Sequence, residues 1–391
     1  MVWLTTLFLA AAPVGFDAAL ARVESSPELT GVTAALATRQ GALPTLSRFT
    51  SNPQVTLEPG LRHENGALGA DVRVGVSQAF NLGGLSAARR GLASEEAREA
   101  AVLRLSLLQQ RRLEVARAWL DTWVAQQAAR AAHDEQASAQ QLLIRLARAV
   151  TTGAVTKVDV ATARAFAAEL AAVHLDWEGR RIEAGAALST LLGFTELATA
   201  EGPLPQLSLE ALAVAPDALL EVRAADAALR AEAQRAEETK ALWAPQLLVT
   251  VLGGHEAPRL YFGAVALGFT LPLLERGNRE RSVHTATQQR LEGQRQQALQ
   301  GSSVALQVAQ HDLEHSQETF EVVHGTQWPA AEEAARLETL RYQQGETTLL
   351  ELTLMRRQAF AAHLAALAAE ASVVAARVRA RELTNNSRST P

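Results

Sequence analysis

The chain has 391 residues, of which 48% are hydrophobic and 20% are charged, and its formal net charge is −5. Because it contains no cysteine, disulfides, thiolate metal sites and a cysteine nucleophile are excluded. The negative charge argues against nucleic-acid binding, which needs a basic surface to displace the counterions of the phosphate backbone. Only 5% of the residues are aromatic, and Ala, Leu, Glu, Arg and Gln dominate long tracts, which favours long helices over a compact enzyme core.

The N-terminal residues MVWLTTLFLAAAPVG form an apolar run that is too short to span a bilayer, since a spanning helix needs about 20 residues. We interpret residues 1–15 as a probable signal peptide, with Ala10–Ala12 as its small-residue cleavage zone. The alternative is a buried N-terminal segment, because no Lys or Arg precedes the run and Pro13 follows the expected cut. No other stretch has 18 consecutive apolar residues, so we expect no transmembrane helix.

Several landmarks recur along the chain at a nearly constant spacing, which indicates a tandem duplication. The recurring pairs are Pro27 with Pro216, Pro53 with Pro245, Gly75 with Gly268, and Gly153 with Gly345. The last three pairs are 192 or 193 residues apart. We therefore expect a first structural repeat over residues 16–200, a second over 201–382, and a polar C-terminal tail over 383–391.

Each repeat is predicted to contain a helix, two strands, a long helix, a glycine turn and a returning helix. In the first repeat these elements are predicted at 16–46, 54–62, 69–80, 85–149, Gly153 and 158–192. In the second they are predicted at 209–242, 246–252, 260–271, 278–344, Gly345 and 349–382. The strand pairs thus occupy 54–80 and 246–271, and residues 195–207 are expected to link the repeats.

The long helical tracts require partners along their whole length, because no small globular core can cover a helix of some 65 residues. We therefore expect coiled-coil packing. One apolar seam is predicted at Leu113, Ala116, Leu120 and Trp123. Trp119 and Trp123 lie one turn apart and are interpreted as packing residues rather than as a ligand site.

The strand at 69–80 alternates in a way that suits a wall with lipid on one side and water on the other. Its apolar set is Ala70, Val72, Val74 and Val76, and its other set is Asp71, Arg73, Gly75 and Ser77. Four strands cannot close a barrel alone, and open edges are not tolerated in lipid, so several chains would contribute strands. The alternative is a small soluble β-meander that caps a helical bundle. Candidates for an interfacial aromatic girdle are Phe80, Tyr261, Phe262 and Phe269.

Sequence patterns in both halves carry a resemblance to a known family. They are Phe16–Leu20 with Ser26–Leu29, the junctions Gln78–Gly84 and Leu271–Asn278, the stretch Trp328–Ala334 with Leu340–Gly345 and Leu349–Leu352, and its counterpart Leu146–Gly153 with Lys157–Val160. On these residues the chain resembles the TolC-type outer-membrane efflux family. The first junction is more similar to the metal- and cation-efflux branch than to the drug-efflux branch.

The resemblance implies a mainly α fold with a small β part. Three copies, each a tandem-repeat long-helix protomer with four membrane β-strands, would close as a trimer into a 12-stranded β-barrel in the outer membrane and a periplasmic α-barrel. The expected partners are a periplasmic adaptor protein, an inner-membrane efflux pump and outer-membrane lipid.

The resemblance also implies a narrow periplasmic tip made by the turns at Gly153 and Gly345. Its gate and tip residues would be Asp159, Glu351, Arg148, Arg341 and Tyr342. The residues themselves allow a simpler interpretation, since acids near a helix N-terminus and arginines near a C-terminus are favourable for the helix dipole. The glycines are expected to supply the left-handed conformation that ends each helix.

One pattern is typical of catalysis. His311-Asp312-Leu313-Glu314-His315 matches H-x-x-E-H, in which two histidines one turn apart can bind zinc beside a glutamate base. The motif lies within a long amphipathic helix, outside any enzyme-like context, so we interpret these histidines as surface residues. We expect no enzyme activity, no cofactor and no metal site.

The sequence therefore predicts an outer-membrane exit duct of a tripartite efflux system, passively conducting metal cations, drugs or other small molecules from the pump to the exterior. The alternative is a periplasmic or soluble coiled-coil scaffold, similar to an adaptor, without channel activity. Membrane localisation distinguishes the two hypotheses.

Overall fold

A computed structural model describes residues 11–42, 51–64, 67–208, 214–256, 260–272 and 277–388. The described chain forms two compact units, a helical unit within residues 1–30, 106–216 and 303–390 and a sheet-containing unit within 31–105 and 217–302. Each unit contains segments from both halves of the sequence, so the compact units differ from the predicted sequence repeats.

Six strands and eight α-helices follow one another along the described residues. In chain order they are β1 (Ala11–Gly15), α1 (Phe16–Arg22), α2 (Pro27–Ala42), β2 (Gln54–Glu64), β3 (Ala67–Asn81), α3 (Leu85–Ala149), α4 (Lys157–Leu192), β4 (Leu197–Glu201), α5 (Leu220–Leu242), β5 (Gln246–Glu256), β6 (Leu260–Thr270), α6 (Asn278–Val322), α7 (Trp328–Gln344) and α8 (Leu349–Arg388). The predicted bounds of α3 are confirmed at both ends.

Strand β1 lies within the residues predicted as a signal peptide. Residues 11–15 pair in parallel with β4, and Val14 is buried. These residues therefore belong to the described fold, in agreement with the alternative of a buried N-terminal segment, and the extent of the leader stays a prediction. The remainder of the expected leader, residues 1–10, lies outside the described residues. The predicted linker over 195–207 likewise contains a strand, β4.

The helix predicted over 16–46 is divided by a proline. Ser26 has an extended conformation (φ −61°, ψ 144°), which is the conformation that a following proline imposes on its neighbour. A short 3-10 turn, Val23–Ser25, therefore separates α1 from α2. Residues 43–46 of the predicted helix lie outside the described residues, as do 209–213 of the helix predicted over 209–242.

The second long tract, predicted as continuous over 278–344, is interrupted as well. A π-helical segment, Val323–Gln327, separates α6 from α7. Pro329 follows it and has no N–H to donate to the carbonyl of Gly325, so the regular α-helical ladder cannot continue through this point. The first repeat has no such break, since α3 runs through 65 residues.

Trp119 lies at the centre of the core of the helical unit. Its side chain is fully buried, its Nε1 donates to the carbonyl of Val14 over 2.8 Å, and its ring meets that of Phe16 edge-on at 5.3 Å. Trp123 is buried in the same cluster. The seam residues Ala116 and Leu120 are also buried there, which confirms the predicted packing role of this face.

Helix α8 extends farther than predicted, to Arg388, so the expected polar tail is helical over 383–388, and only its last three residues lie outside the described chain. The part Leu349–Thr384 is long and apolar enough to cross a membrane by length and composition. One-third of its most apolar 18-residue window is buried, and Ala366, Val373 and Val374 of this helix belong to the buried residues of the helical unit. We therefore assign α8 to the helical unit.

The four remaining strands form one antiparallel sheet in the order β2-β3-β5-β6. The pairing of β3 with β5 joins the hairpin of the first repeat to the hairpin of the second. Three of the predicted strands are longer than expected, because β2 continues to Glu64, β3 begins at Ala67 and β5 continues to Glu256. The outer strands β2 and β6 each leave one edge unpaired among the described residues.

Candidate functional site

The two glycine turns have the same backbone geometry. Gly153 and Gly345 have left-handed φ values of +75° and +76°. After each glycine, the next N–H reaches back to a carbonyl five residues earlier: Ala154 donates to Ala149 over 3.1 Å, and Glu346 donates to Arg341 over 2.9 Å. These bonds, with the glycine N–H donating three residues back, form a Schellman motif that satisfies the last carbonyls of the helix. The predicted left-handed conformation is confirmed at both positions.

Asp159 begins the returning helix α4 as part of a capping box. Its Oδ2 accepts from the backbone N–H of Thr156 over 2.9 Å and from the Thr156 hydroxyl over 2.7 Å, while the Asp159 N–H donates to that hydroxyl oxygen over 3.2 Å. These donors to the ionised carboxylate, led by the hydroxyl, lower the pKa of Asp159. The structure thus places Asp159 at a helix N-terminus, where it acts as a capping acid; the gate role stays a prediction.

Glu351 occupies the equivalent position 192 residues later, at the start of α8. Its Oε2 accepts from Thr348 N–H over 3.0 Å, and the Glu351 N–H donates to the Thr348 hydroxyl over 3.3 Å, which completes a second capping box. Its largest additional interaction is with the Thr347 hydroxyl, 2.5 Å away. Together these donors lower the pKa of Glu351 to about 2. The side chain is exposed and stays ionised at neutral pH.

A second carboxylate lies beside the second turn. Glu338, on α7, is buried, with its Oε1 against the Thr347 hydroxyl and its Oε2 accepting from Arg341 over 3.0 Å. The positive charge of Arg341 also contributes to the lowered pKa of Glu351. Arg341 is thereby placed at the second turn, whereas Arg148 is exposed and forms no ion pair with any described residue.

The two turns pack on one small core within the helical unit. Its buried members are Leu142, Leu146, Ala163, Leu349 and Leu352, and its partly buried members are Leu143, Val155, Val160 and Tyr342. Because these residues come from α3, α4, α7 and α8, the core holds both turns side by side. Burial, followed by the negative charge of Asp159, raises the pKa of Tyr342, so Tyr342 of one turn lies close to the acid of the other.

Each turn also exposes one large apolar side chain. Val158 is 71% exposed and Leu350 is 67% exposed, and each directly precedes the capping acid of its helix. These two residues were not among the predicted site residues. The signal for them lies in the duplication, since they are 192 residues apart and both are apolar at a position where the helix has no neighbour to pack against.

The sheet has a continuous apolar face in the sheet-containing unit. The register aligns Val55 with Val76, Val76 with Val251, and Val251 with Val265, which gives a row of valines across all four strands. Their exposed fractions are 70%, 45%, 56% and 68%, so none of the described residues covers this row. The predicted apolar face of β3 is confirmed, and it continues over the whole sheet.

On the opposite face the polar side chains lie mainly on β2 and β3, whereas β5 and β6 contribute apolar residues such as Leu252 and Ala264. Ser77 and Thr250 share a hydrogen bond of 2.9 Å, and Arg73 forms an ion pair with Glu256 at 2.9 Å. Phe262 lies on this face, with the Arg73 guanidinium 5.8 Å from its ring centre.

The candidate girdle is therefore corrected. Phe80, Tyr261 and Phe269 lie on the apolar face, and Phe262 does not, because its register position opposite Gly254 places it with Arg73.

The H-x-x-E-H motif lies on an exposed face of α6. The rings of His311 and His315 stack at 5.6 Å, Asp312 pairs with Arg379, and Glu314 accepts from Gln310. Among the described residues, no group of three or more His, Cys, Asp or Glu side chains converges on one point.

Comparison with solved structures identifies the fold. The structure of CusC, described with its folding and transmembrane channel formation, superposes with a TM-score of 0.76 at 15% identity and covers 95% of this chain and 91% of that one. The outer-membrane channel OprN gives 0.72 at 18% identity, covering 94% and 89%, and the Campylobacter jejuni outer-membrane channel CmeC gives 0.73 at 12% identity, covering 95% and 86%. No protein-family model and no curated protein matches the sequence. Over nearly its whole length, the chain has the fold of the TolC-type outer-membrane channels, including that of the CusC-like branch.

Proposed function

We propose that the protein is an outer-membrane exit duct of a tripartite efflux system, which works as a homotrimer and conducts small solutes passively. The observation that carries this proposal is the row of exposed valines across a sheet with two open edges. An apolar face of this kind suits lipid, and open edges in lipid must be paired, so neighbouring copies would close the sheet into a barrel. The shared fold with outer-membrane channels supports the same conclusion.

Two neighbouring residues on opposite faces of β5 provide a matched test. Val251→Arg places a charge on the proposed lipid face, which costs about 2–4 kcal/mol near the bilayer midplane. Thr250→Arg places the same charge on the opposite face, toward the proposed water-filled lumen. We expect the first variant to be lost from the detergent-extracted outer-membrane fraction and the second to be retained there.

Imaging of the extracted wild-type protein tests the assembly itself. We expect tapered particles of threefold symmetry. A soluble protein outside the membrane fraction, with both arginine variants equally well behaved, would overturn the duct and favour the coiled-coil scaffold.

We further infer that the paired turns form the periplasmic end that meets an adaptor protein, which links the duct to an inner-membrane pump. Val158 and Leu350 support this role, because each is an exposed apolar side chain at the same place in its repeat. A photo-cross-linking residue at position 350 should capture a periplasmic protein. Cross-links to lipid alone, or only between copies of this chain, would contradict the docking role.

Asp159 and Glu351 would act as an acidic gate in the trimer, where threefold repetition of each carboxylate favours cations. Glu351→Gln should lower the cation preference of single channels in planar bilayers. Glu333→Gln is a matched control, because Glu333 is an exposed acid on α7 whose one ion pair among the described residues is with Arg336 of its own helix. Equal selectivity in all three proteins would leave Glu351 with its capping role alone. For the cargo we propose metal cations ahead of drugs, on the resemblance of the first junction alone.

A further inference from the structure

His133 and His174 lie together in a cavity of the helical unit. His133 is on α3 and His174 is on the antiparallel helix α4, and their ring centres are 5.2 Å apart with the ring planes inclined at 59°. The open cavity that they line has a volume of about 900 Å³. The H-x-x-E-H motif does not contribute to this pair.

One nitrogen of the pair lacks a partner. His174 Nδ1 is buried and forms no hydrogen bond with any described residue. A buried polar atom without a partner is unfavourable, and native structures normally satisfy it. A metal ion, which accepts a lone pair from an imidazole nitrogen, would satisfy Nδ1 here.

The spacing of the two rings fits a shared metal ion. When two imidazole nitrogens each lie ~2.1 Å from one ion at a tetrahedral angle, their ring centres are roughly 5 Å apart. The observed separation of 5.2 Å matches this value.

The charge around the pair also favours a cation. Asp134 and Glu201 line the same cavity, and neither forms an ion pair with another described residue. The third acid at the cavity, Glu178, is already paired with Arg181 at 2.9 Å, and Arg130 also lines the cavity, so three carboxylates face two guanidinium groups.

Comparison of the two repeats shows that the histidine pair is not a repeated feature of the fold. The positions equivalent to His133 and His174 in the second repeat are Gly325 and Ala366. The second repeat thus has no histidine at either position, and Gly325 lies in the π-helical segment that the first repeat lacks, so the pair belongs to the first repeat alone.

We propose that His133 and His174 bind one divalent transition-metal ion of the Zn²⁺ or Cu²⁺ class, which bridges α3 and α4. Imidazole is a preferred ligand of these ions. No third side-chain ligand converges on the pair among the described residues, so water completes the coordination. The site is independent of the proposed duct function, because it needs only the helical unit.

The test titrates the purified full-length chain with ZnCl₂ by calorimetry. The background is the double variant His311→Ala/His315→Ala, which removes the other histidine pair able to chelate the ion. We expect one Zn²⁺ per chain and a rise of Tm with Zn²⁺. His133→Asn and His174→Asn should each weaken binding at least about tenfold, because loss of even an outer-shell partner has an effect of that size.

A double-variant cycle shows whether the two histidines share one ion. If they do, the His133→Asn/His174→Asn protein binds no more weakly than the poorer single variant, since either change already destroys the site. The Asn variants should keep the helical circular-dichroism signal of the parent without metal, and exposed His133 provides the safer substitution if His174→Asn folds poorly. No Zn²⁺ binding, binding unaffected by either Asn variant, or binding lost only with His311 and His315 would each overturn the site.

Discussion

The two helical turns have the same backbone conformation but differ in the pair of residues that packs beside the glycine. The first repeat has Leu146 and Val155 at two positions where the second has Glu338 and Thr347, 192 residues later in each case. Leu146 is buried in the small core and Val155 packs against it. Glu338 is also buried, but the Thr347 hydroxyl contacts its carboxylate. An apolar pair in one turn is thus replaced by a polar pair in the other.

The difference shows which part of the turn the fold requires. Both turns keep the left-handed glycine, the Schellman bonds and the threonine-acid capping box, so these elements define the backbone. The buried pair can vary, provided that it is apolar on both sides or hydrogen-bonded on both sides. Only the second version brings two carboxylates, Glu338 and Glu351, to one hydroxyl, and this gives the second turn a charge that the first lacks.

The largest expected change in stability comes from combining one residue of the polar buried pair with one of the apolar pair. Thr347→Val leaves the buried Glu338 carboxylate without its hydroxyl partner, which should lower the free energy of unfolding by about 1–3 kcal/mol. Glu338→Leu/Thr347→Val recreates the buried pair of the first turn, and we expect it to recover most of the loss, since both polar groups of the pair leave together while only the exposed partners Arg341 and Glu351 each lose one contact. Thermal unfolding of the three proteins measures the difference. A double variant that is less stable than Thr347→Val would show that the two turns are not interchangeable.

The glycines should respond alike in both turns. Nothing lies within 4 Å of a Cβ built on Gly153 or Gly345, so only the positive φ opposes a side chain. Gly153→Val and Gly345→Val should each cost at least about 1–2 kcal/mol, because a β-branched residue resists the left-handed region. Asn adopts this region more easily, so the Asn variants should retain most of the stability. Equal Tm values for Val and Asn would contradict the strain argument.

Substitution of the capping threonines should cause the next largest loss of stability. Thr156→Ala and Thr348→Ala each remove an N-cap hydroxyl and should cost about 1 kcal/mol by denaturant unfolding. The comparison predicts that the second turn loses less of its acid's support, because the Thr347 hydroxyl, whose single proton is shared between Glu351 and Glu338, remains when Thr348 is alanine. Amide hydrogen exchange at the start of α4 and α8 separates the two effects. A larger loss of protection in α8 would argue against this second donor.

Local signals in the sequence predict the elements that this comparison rests on. The positive φ of Gly153 and the helical start near Asp159 follow from the types of residue at helix ends. Likewise, the period-two pattern of β3 predicts its apolar face, because side chains in a strand alternate between two faces.

Features that depend on distant partners could not be predicted from the sequence. Strand β1 looks like part of a leader, because its role depends on pairing with residues 197–201 and on the Trp119 hydrogen bond to Val14. The contact between Glu338 and Thr347 depends on the turn that brings two helices together, and neither residue shows an unusual local pattern. The break before Trp328 was signalled by Pro329, but a proline near the start of a helix is tolerated in many helices, so its effect depended on context.

The smallest expected effect is a difference in acid sensitivity between the two turns. The pKa of Glu351 lies at about 2 in the folded chain, against an ordinary value of 4.5, so its ionised form stabilises the turn. That contribution is fully present above about pH 5 and is lost as the pH falls from 4.5 through 2. For Asp159 the pKa is also lowered, from 3.8, so its contribution is lost only below that value.

The difference can be measured as the pH dependence of Tm in the wild type, Glu351→Gln and Asp159→Asn. We expect Glu351→Gln to flatten the decline of Tm between pH 4.5 and 2, and Asp159→Asn to flatten it only below pH 3.8. The subtraction from wild type removes the many other carboxylates, which titrate alike in all three proteins. The two upper limits differ because the ordinary pKa values of Glu and Asp differ, so the role of Thr347 is read from the width of each range. If the range that Glu351→Gln flattens is no wider than the range that Asp159→Asn flattens, Thr347 adds nothing to the ionised state of Glu351. The second turn would then differ from the first in its buried pair alone.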